Sequence, residues 1–193
     1  MDKREMRAAM AAVLRGIDAA DLAARSALAA GRLAETEAWR RADTVLTFLS
    51  MPRELDTSAV IAAARAEGKR VAVPRIEGDD LRFLVLPRGS DNLPRDRWGI
   101  PEPDPSWQAL DLARAAQVLV AAPGLAFDRQ GNRLGRGRGY YDRFVAGARA
   151  AGKSITVIGI CLSEQIVGAV PCETHDQVLD AVVTEAETIL PAS

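Results

Sequence analysis

A glycine-rich loop between a short apolar run and a helical segment constrains this chain more than any other feature. The run Gln117–Ala122 has strand character, a helix is predicted over Tyr140–Arg149, and the loop between them has glycines at 131, 135, 137 and 139. Glycine permits positive φ angles and close backbone approach, so successive N–H groups can turn toward one anion. The order of strand, loop and helix also places that anion at a helix N-terminus, where the dipole favours negative charge. The segment predicts an α/β protein with an anion site.

Charge in the same stretch supports an acidic ligand. Residues 123–143 hold five arginines and two aspartates, an excess of three positive charges, in a chain whose formal net charge is −1. Neither G-x-x-x-x-G-K-[ST] nor G-x-G-x-x-G occurs here, so neither common phosphate loop is present. One alternative is a flexible surface loop with solubilising arginines. Another is an Arg-Gly nucleic-acid segment, which a pI of about 5.9 and the lack of interleaved aromatic residues argue against.

Length and composition narrow the class of protein. A chain of 193 residues with 48% hydrophobic content can build one core, and we predict one domain over residues 1–193. Cys161 and Cys172 provide no disulfide framework, so we expect buried thiols and a reducing compartment. No apolar run reaches the ~20 residues of a membrane span, and the N-terminus lacks a signal-peptide hydrophobic region. We expect a cytoplasmic monomer that binds small molecules and neither membrane nor nucleic acid.

Helices and strands alternate along the chain. Helices are predicted over Asp2–Leu14 and Asp18–Leu33, with Asp18 as an N-cap, and a third helix ends at Glu67 with Asp56 and Thr57 as caps. Strands are predicted over Thr44–Ser50, Arg70–Pro74, Leu81–Leu86, Gln117–Ala122, Ser154–Ile160 and Ala181–Val183. This pattern predicts an open, mostly parallel sheet of about six strands with helices on both faces, a Rossmann-like three-layer fold.

Two cations of the first helix are candidate ligands for the anion. Lys3 and Arg7 stand at i,i+4 on one face of the first turns, where they repel each other and oppose the helix dipole. A bound anion would offset both the repulsion between the two cations and their unfavourable interaction with the dipole. The alternative is a solvated terminus neutralised by Asp2 and Glu5, and spacing alone supports the two interpretations equally.

Carboxylates supply the remaining candidates. Glu54 follows a predicted strand at the sheet edge where open α/β folds collect ligands, although its position alone favours a solvated surface glutamate over a ligand-binding one. With one histidine, His175, and two cysteines, the chain cannot build a Cys/His metal site and gives little support to a catalytic triad. We interpret His175 as structural. Asp142 and the distant Asp176 could hold Mg²⁺, which usually takes one or two carboxylates plus phosphate oxygens and water.

The string GNRLGRGRGYYD, residues 131–142, closely resembles the signature of the 5-formyltetrahydrofolate cyclo-ligases, also called methenyltetrahydrofolate synthetases. Similar segments occur in order along nearly the whole chain: the Lys3/Arg7 pair, SMPRELDT, KRVAVPRI, RWGIPEP and the His-Asp segment. Met6 stands where the family usually has leucine. The resemblance implies ATP-dependent closure of 5-formyltetrahydrofolate to 5,10-methenyltetrahydrofolate, with release of ADP and phosphate.

The resemblance also implies roles for individual residues. It assigns Mg²⁺ to Asp142 and Asp176, and ATP to Lys3, Arg7, Arg133, Leu134, Gly135, Arg136, Gly137, Arg138, Gly139, Tyr140 and Tyr141. Folate is assigned to Glu54, Trp98, Arg136, Gly137, Arg138, Gly139 and Tyr140. Catalysis is assigned to Arg136, Arg138 and Tyr140, and which of the two arginines meets the transferring phosphoryl group stays open.

Three other functions remain compatible with the sequence. A related enzyme could use another formyl or carboxyl substrate, a folate or nucleotide binder could lack turnover, and a nucleic-acid binder could use the Arg-Gly run. Asp142, Asp176 and Glu54 together favour an enzyme over a binder.

Overall fold

The fold is an open sheet with helices packed on it. A computed structural model describes residues 1–90, 93, 95 and 101–192. Its helices are α1 (Lys3–Arg15), α2 (Ala19–Ala34), α3 (Glu37–Arg41), α4 (Ser58–Ala66) and α5 (Tyr140–Ala150). Its strands are β1 (Thr44–Leu46), β2 (Arg70–Glu77), β3 (Asp80–Val85), β4 (Val118–Ala122), β5 (Ala126–Phe127), β6 (Arg133–Leu134), β7 (Ile155–Ile160), β8 (Ala181–Val183) and β9 (Thr188–Ile189).

The main sheet has the order β3-β2-β1-β4-β7-β8-β9, and β5 pairs with β6 in a separate hairpin. The five central strands are parallel, whereas β3 and β9 pair antiparallel at the two edges. The predicted open, mostly parallel sheet is confirmed, with seven strands in place of about six. The additional strand, β9, contains two residues, too few to show a hydrophobic period in sequence.

Helices cover both faces of the sheet, as predicted. Along β4 the side chains alternate between two cores: Leu119 packs with residues of α1, α2 and α4, while Val120 packs with Val145 of α5. All five residues of β4 are buried. A strand that is covered on both faces has apolar residues at consecutive positions, which is why the strand within Gln117–Ala122 could be predicted from sequence.

Several local expectations were wrong. No helix is predicted from sequence between residues 33 and 44, yet α3 lies there and its Trp39 is 1% exposed. Thr57 occupies the N-cap of α4, but its hydroxyl donates to the Phe48 carbonyl at 2.6 Å and, within the described residues, makes no cap hydrogen bond. Cys161 is buried as expected, whereas Cys172 is exposed.

The first two helices are capped at their N-termini, and the cap of α2 is the predicted one. Asp18 accepts hydrogen bonds from the N–H groups of Ala20 and Asp21 at the start of α2. In α1, Asp2 and Glu5 form a reciprocal capping box. Within the described part of the chain, no helix is long and apolar enough to cross a membrane.

Candidate active site

A cavity of about 340 Å³ lies at the carboxyl ends of β1, β2 and β4. The chain runs from β1 to β2 on one side and resumes with β4 on the other side of β1, so the strand order reverses at this point. Open α/β sheets bind ligands at such a switch point. The apolar part of the wall is formed by Phe48, Leu49, Pro74, Ile76, Leu81 and Pro123.

The predicted anion loop forms the other wall of this cavity. Residues lining it include Arg133, Gly135, Arg136, Arg138, Gly139, Tyr140 and Tyr141. Gly137 has φ 101° and Gly139 has φ 65°, conformations that favour glycine. Gly139 is also the N-cap of α5 and offers that helix no side-chain cap, so the N–H groups of its first turn lack the usual cap partner. Gly131, Gly137 and Gly139 thus have the positive φ that the sequence predicts for the loop, whereas Gly135 does not.

The two cations of α1 reach this loop and the segment that follows β7. Arg7 Nε donates to the Gly135 carbonyl at 2.9 Å, and its Nη2 would lie 3.4 Å from a Cβ at Gly137. Lys3 Nζ lies 2.8 Å from Asp176 Oδ2 and 3.1 Å from Glu173. Asp2 and Glu5 hydrogen-bond each other's backbone, and the carboxylates that pair with Lys3 are those of Asp176 and Glu173.

Lys3 and Asp176 stabilise each other's charged forms. Burial alone would lower the pKa of the Lys3 ammonium, but its hydrogen bonds to Asp176 and Glu173 outweigh burial and raise that pKa. Burial would likewise raise the pKa of Asp176, but the hydrogen bonds from Lys3 and from the Glu173 N–H, together with the charge of Lys3, outweigh burial, so the Asp176 pKa is lowered. Both side chains are therefore ionised near neutral pH.

The two candidate metal ligands are brought together through Gln177. Asp142 Oδ1 accepts from Arg133 Nη2 at 2.8 Å and from the Gln177 N–H at 3.1 Å, so the residue next to Asp176 contacts Asp142. Among the described residues no group of three or more His, Cys, Asp and Glu side chains could hold a metal ion. Two carboxylates with phosphate oxygens and water suffice for Mg²⁺, so the donor set fits an ion that arrives with a nucleotide.

Two buried polar atoms border the cavity. Within the described residues, Arg133 Nε and the Tyr141 hydroxyl have no hydrogen-bond partner. The Arg133 guanidinium lies 5.7 Å from the centre of the Tyr141 ring. Burial raises the pKa of the Tyr141 phenol, so this hydroxyl stays protonated and can donate a hydrogen bond. A ligand with acceptor atoms would satisfy both groups.

Glu54 is held at the edge of the cavity. Its Oε1 accepts from Arg136 Nη2 at 2.6 Å and its Oε2 from the Met51 N–H at 3.0 Å. Its side chain is 18% exposed, so it is no freely solvated surface glutamate. On the other side of the loop, Arg143 donates to the Arg138 carbonyl at 2.9 Å. Trp98 lies outside the described residues.

Two buried polar residues near the site were not singled out from the sequence. Asp128 is 1% exposed, and Gln165, which is 4% exposed, donates from Nε2 to the Gly124 and Leu125 carbonyls. The Asp-x-x-Gly pattern at residues 128–131 is a turn signal that could have drawn attention to Asp128. His175, interpreted as structural, is exposed and lies 3.4 Å from a Glu173 oxygen.

Together the sheet, the cavity and the loop define an open α/β protein with a basic ligand site at its switch point. Comparison with known proteins gives the family: the chain belongs to the 5-formyltetrahydrofolate cyclo-ligase family, whose model matches residues 1–185. This is a family of ligases, and the resemblance of the loop signature is confirmed.

Relatives match over most of the chain. A probable 5-formyltetrahydrofolate cyclo-ligase of Caenorhabditis elegans is 32% identical over 195 residues, with 97% of this chain and 95% of the relative covered. A 5-formyltetrahydrofolate cyclo-ligase of Escherichia coli is 36% identical over 150 residues, with 76% and 80% covered. The NMR structure of Aquifex aeolicus 5,10-methenyltetrahydrofolate synthetase aligns with a TM-score of 0.80 at 22% identity, covering 100% of this chain and 94% of that one. That likeness supports the fold.

Proposed function

We propose that this protein converts 5-formyltetrahydrofolate to 5,10-methenyltetrahydrofolate with consumption of MgATP and release of ADP and phosphate. The observation that carries the proposal is the position of the loop 133–141. One side of this loop lines the largely apolar cavity, and its Gly135 carbonyl and Gly137 contact Arg7 on α1. A single loop can therefore hold a flat, mostly apolar ligand and a polyphosphate next to each other.

The chemistry needs a cosubstrate because an amide oxygen is a poor leaving group. In the proposed reaction the formyl oxygen attacks the γ-phosphorus of ATP, and ADP leaves. N10 of the folate then attacks the formyl carbon, and phosphate departs with the former formyl oxygen. No protein nucleophile is required, so positioning and charge stabilisation carry the catalysis.

We assign the triphosphate to Lys3, Arg7 and the loop 133–141. Arg7 is already held against the loop backbone, and the positive φ angles at Gly137 and Gly139 let backbone N–H groups converge on phosphate oxygens. Arg136 and Arg138 are exposed side chains beside the cavity, where either can meet charge that develops on the transferred phosphoryl group.

We assign the folate to the cavity, with Glu54 as its polar anchor. A carboxylate can accept two hydrogen bonds from an amino-pyrimidinone edge, and the apolar wall suits the flat rings. We also assign Trp98 and the loop residues 136–140 to this ligand, the Tyr140 ring lying at the cavity wall.

Mg²⁺ bound with the nucleotide would neutralise charge on the phosphate oxygens, and we assign it to Asp142 and Asp176. In the structure Arg133 pairs with Asp142 and Lys3 pairs with Asp176, and these contacts fix the positions of the two carboxylates. An ionised carboxylate is the form that binds a cation.

The test is to mix the protein, MgATP and 5-formyltetrahydrofolate and to follow absorbance of the methenyl product together with ADP. The proposal expects both products in equal amounts, and neither product when tetrahydrofolate without the formyl group is supplied. Binding of both ligands with no ADP would instead establish a binder. ADP with another formyl compound and none with this folate would establish a different substrate.

A further inference from the structure

A buried carboxylate behind the loop connects the two segments that carry the candidate metal ligands. Asp128 follows β5 and is 1% exposed, yet four N–H groups donate to it. Oδ1 accepts from the N–H groups of Gln130 at 3.0 Å and Asn132 at 2.9 Å. Oδ2 accepts from Asn132 Nδ2 at 3.0 Å and from the Val170 N–H at 2.9 Å. Both oxygens are therefore fully engaged with backbone or amide donors.

Three of these bonds fix the 128–132 turn, which leads directly into Arg133. The fourth bond comes from the Val170 N–H and joins this turn to a segment that is distant in sequence. This segment, residues 170–179, contains Asp176, and Val170 is its first residue. At the far end of that segment, the Leu179 N–H donates to the Gly131 carbonyl at 2.9 Å. The turn thus holds the segment at both ends.

Gly131 makes this second attachment possible. It has φ 83°, and a Cβ there would lie 2.7 Å from the Leu179 carbonyl oxygen and 2.8 Å from Pro191. The 128–132 turn consequently packs against the 170–179 segment at backbone distance. Between the two attachments, the Gln177 N–H reaches Asp142 and Asp176 reaches Lys3.

We propose that Asp128 is a positioning residue for the reaction, which sets the distance between Asp142 and Asp176 by fastening the 170–179 segment to the turn before Arg133. This inference rests on the proposed function for its kinetic consequences. Asp128 itself contacts neither substrate in the proposed assignment. Its effect on Mg²⁺ and nucleotide is exerted through the backbone of these two segments.

The test variant is Asp128→Asn, which keeps the size of the side chain and replaces one acceptor oxygen by a donor. At least one N–H group then loses its partner inside the protein. We expect the Kd for MgATP to rise about tenfold, as loss of about one buried hydrogen bond would give, and the Mg²⁺ requirement to rise with it. The Kd for 5-formyltetrahydrofolate, held on the Glu54 side of the cavity, should stay unchanged.

Asp43→Asn is the matched control. Asp43 accepts from the Ala116 N–H at 2.8 Å and from the Thr44 hydroxyl at 2.6 Å, next to the start of β1 and away from the cavity. This variant should lower the melting temperature and leave both Kd values unchanged. A carboxylate with a purely structural role at residue 128 would behave in the same way.

Hydrogen exchange of the ligand-free protein gives a readout that does not depend on activity. In Asp128→Asn the amides of Val170 and Gln177 should exchange faster, and in Asp43→Asn they should not. If Asp128→Asn does not fold, Asn132→Ala can replace it, because this variant removes only the bond from Asn132 Nδ2 to Asp128. It should also speed amide exchange and weaken MgATP binding, with smaller effects than those expected for Asp128→Asn.

Two results would overturn the inference. One is an Asp128→Asn protein, or its Asn132→Ala substitute, with wild-type exchange at residues 170–179 and wild-type Mg²⁺ dependence. The other is an equal loss of MgATP and folate affinity, which would indicate general loosening. A wild-type protein without turnover would refute the proposed function alone, because the exchange comparison still decides the role of Asp128.

Discussion

Arg136 and Glu54 form an ion pair at the edge of the cavity, with Arg136 Nη2 2.6 Å from Glu54 Oε1. The pair joins the anion loop to the turn after β1, two segments that are 82 residues apart in sequence. A folate that donates hydrogen bonds to Glu54 would compete with Arg136 for Oε1, and an Arg136 displaced from this oxygen becomes available to the phosphoryl group.

The first prediction concerns Glu54. Glu54→Gln should raise the Kd for 5-formyltetrahydrofolate about ten- to a hundredfold, the range for loss of a charge-assisted hydrogen bond, while the Kd for MgATP does not rise, because Arg136 is released from the ion pair and stays in the loop. Calorimetric titration with each ligand measures both. Glu37→Gln is the control, because Glu37 also pairs with arginines but does so on the surface of α3. Unchanged folate affinity in Glu54→Gln would remove Glu54 from the folate site.

The second prediction concerns Arg7. Arg7→Ala should weaken MgATP binding about ten- to a hundredfold and leave folate binding nearly intact, since a hydrogen bond to a charged group contributes ~1.5–3 kcal/mol. Arg4→Ala, an exposed cation on the same helix, is the control for loss of charge. If calorimetry gives the two variants the same ATP affinity as wild type, Arg7 has no role in phosphate binding.

The third prediction concerns the loop backbone. Gly137→Val should abolish turnover, because valine resists the φ of 101° found there and its side chain would push against Arg7. Gly152→Val is the control, since Gly152 also has a positive φ, 67°, but a Cβ there would have no atom of the described residues within 4 Å. That variant should lose stability and keep its rate. Normal turnover by Gly137→Val would contradict the assignment of phosphate to this loop.

The fourth prediction concerns the two aspartates. Asp142→Asn and Asp176→Asn should each lower kcat more than they raise the KM for folate, since charge on the phosphoryl group is greatest in the transition state. The double variant should be little worse than the poorer single one, because both ligands serve one ion. Steady-state kinetics across a Mg²⁺ titration measures this. Strictly additive losses would show that the two carboxylates act separately.

Sequence reasoning succeeded where a local pattern determines structure. Continuous apolar runs identified β4 and β7, the Asp18 cap marked the start of α2, and loop glycines 137 and 139 have the expected positive φ. The i,i+4 spacing of Lys3 and Arg7 raised the possibility of an anion site, and in the structure Arg7 contacts the glycine-rich loop while Lys3 contacts Asp176.

The rest depended on contacts between residues far apart in sequence. The β5-β6 hairpin and β9 are stabilised by their neighbours and carry no period of their own. Val13 lies at helical spacing from Met6 and Met10 but is 41% exposed, because its side chain lies off the face by which Met6, Met10 and Leu14 are buried. From sequence, Asp128 contributed only to the net charge of the loop. Its bond to the Val170 N–H joins residues 42 positions apart, and no local pattern predicts such a contact.

The most direct measurement of the central claim follows the formyl oxygen. 5-Formyltetrahydrofolate labelled with oxygen-18 in the formyl group is turned over with MgATP, and the phosphate released is analysed by mass spectrometry. Attack of that oxygen on the γ-phosphorus predicts that each phosphate carries the label, with one ADP and one methenyl product formed beside it. Unlabelled phosphate, or label recovered in water, would contradict the proposed reaction.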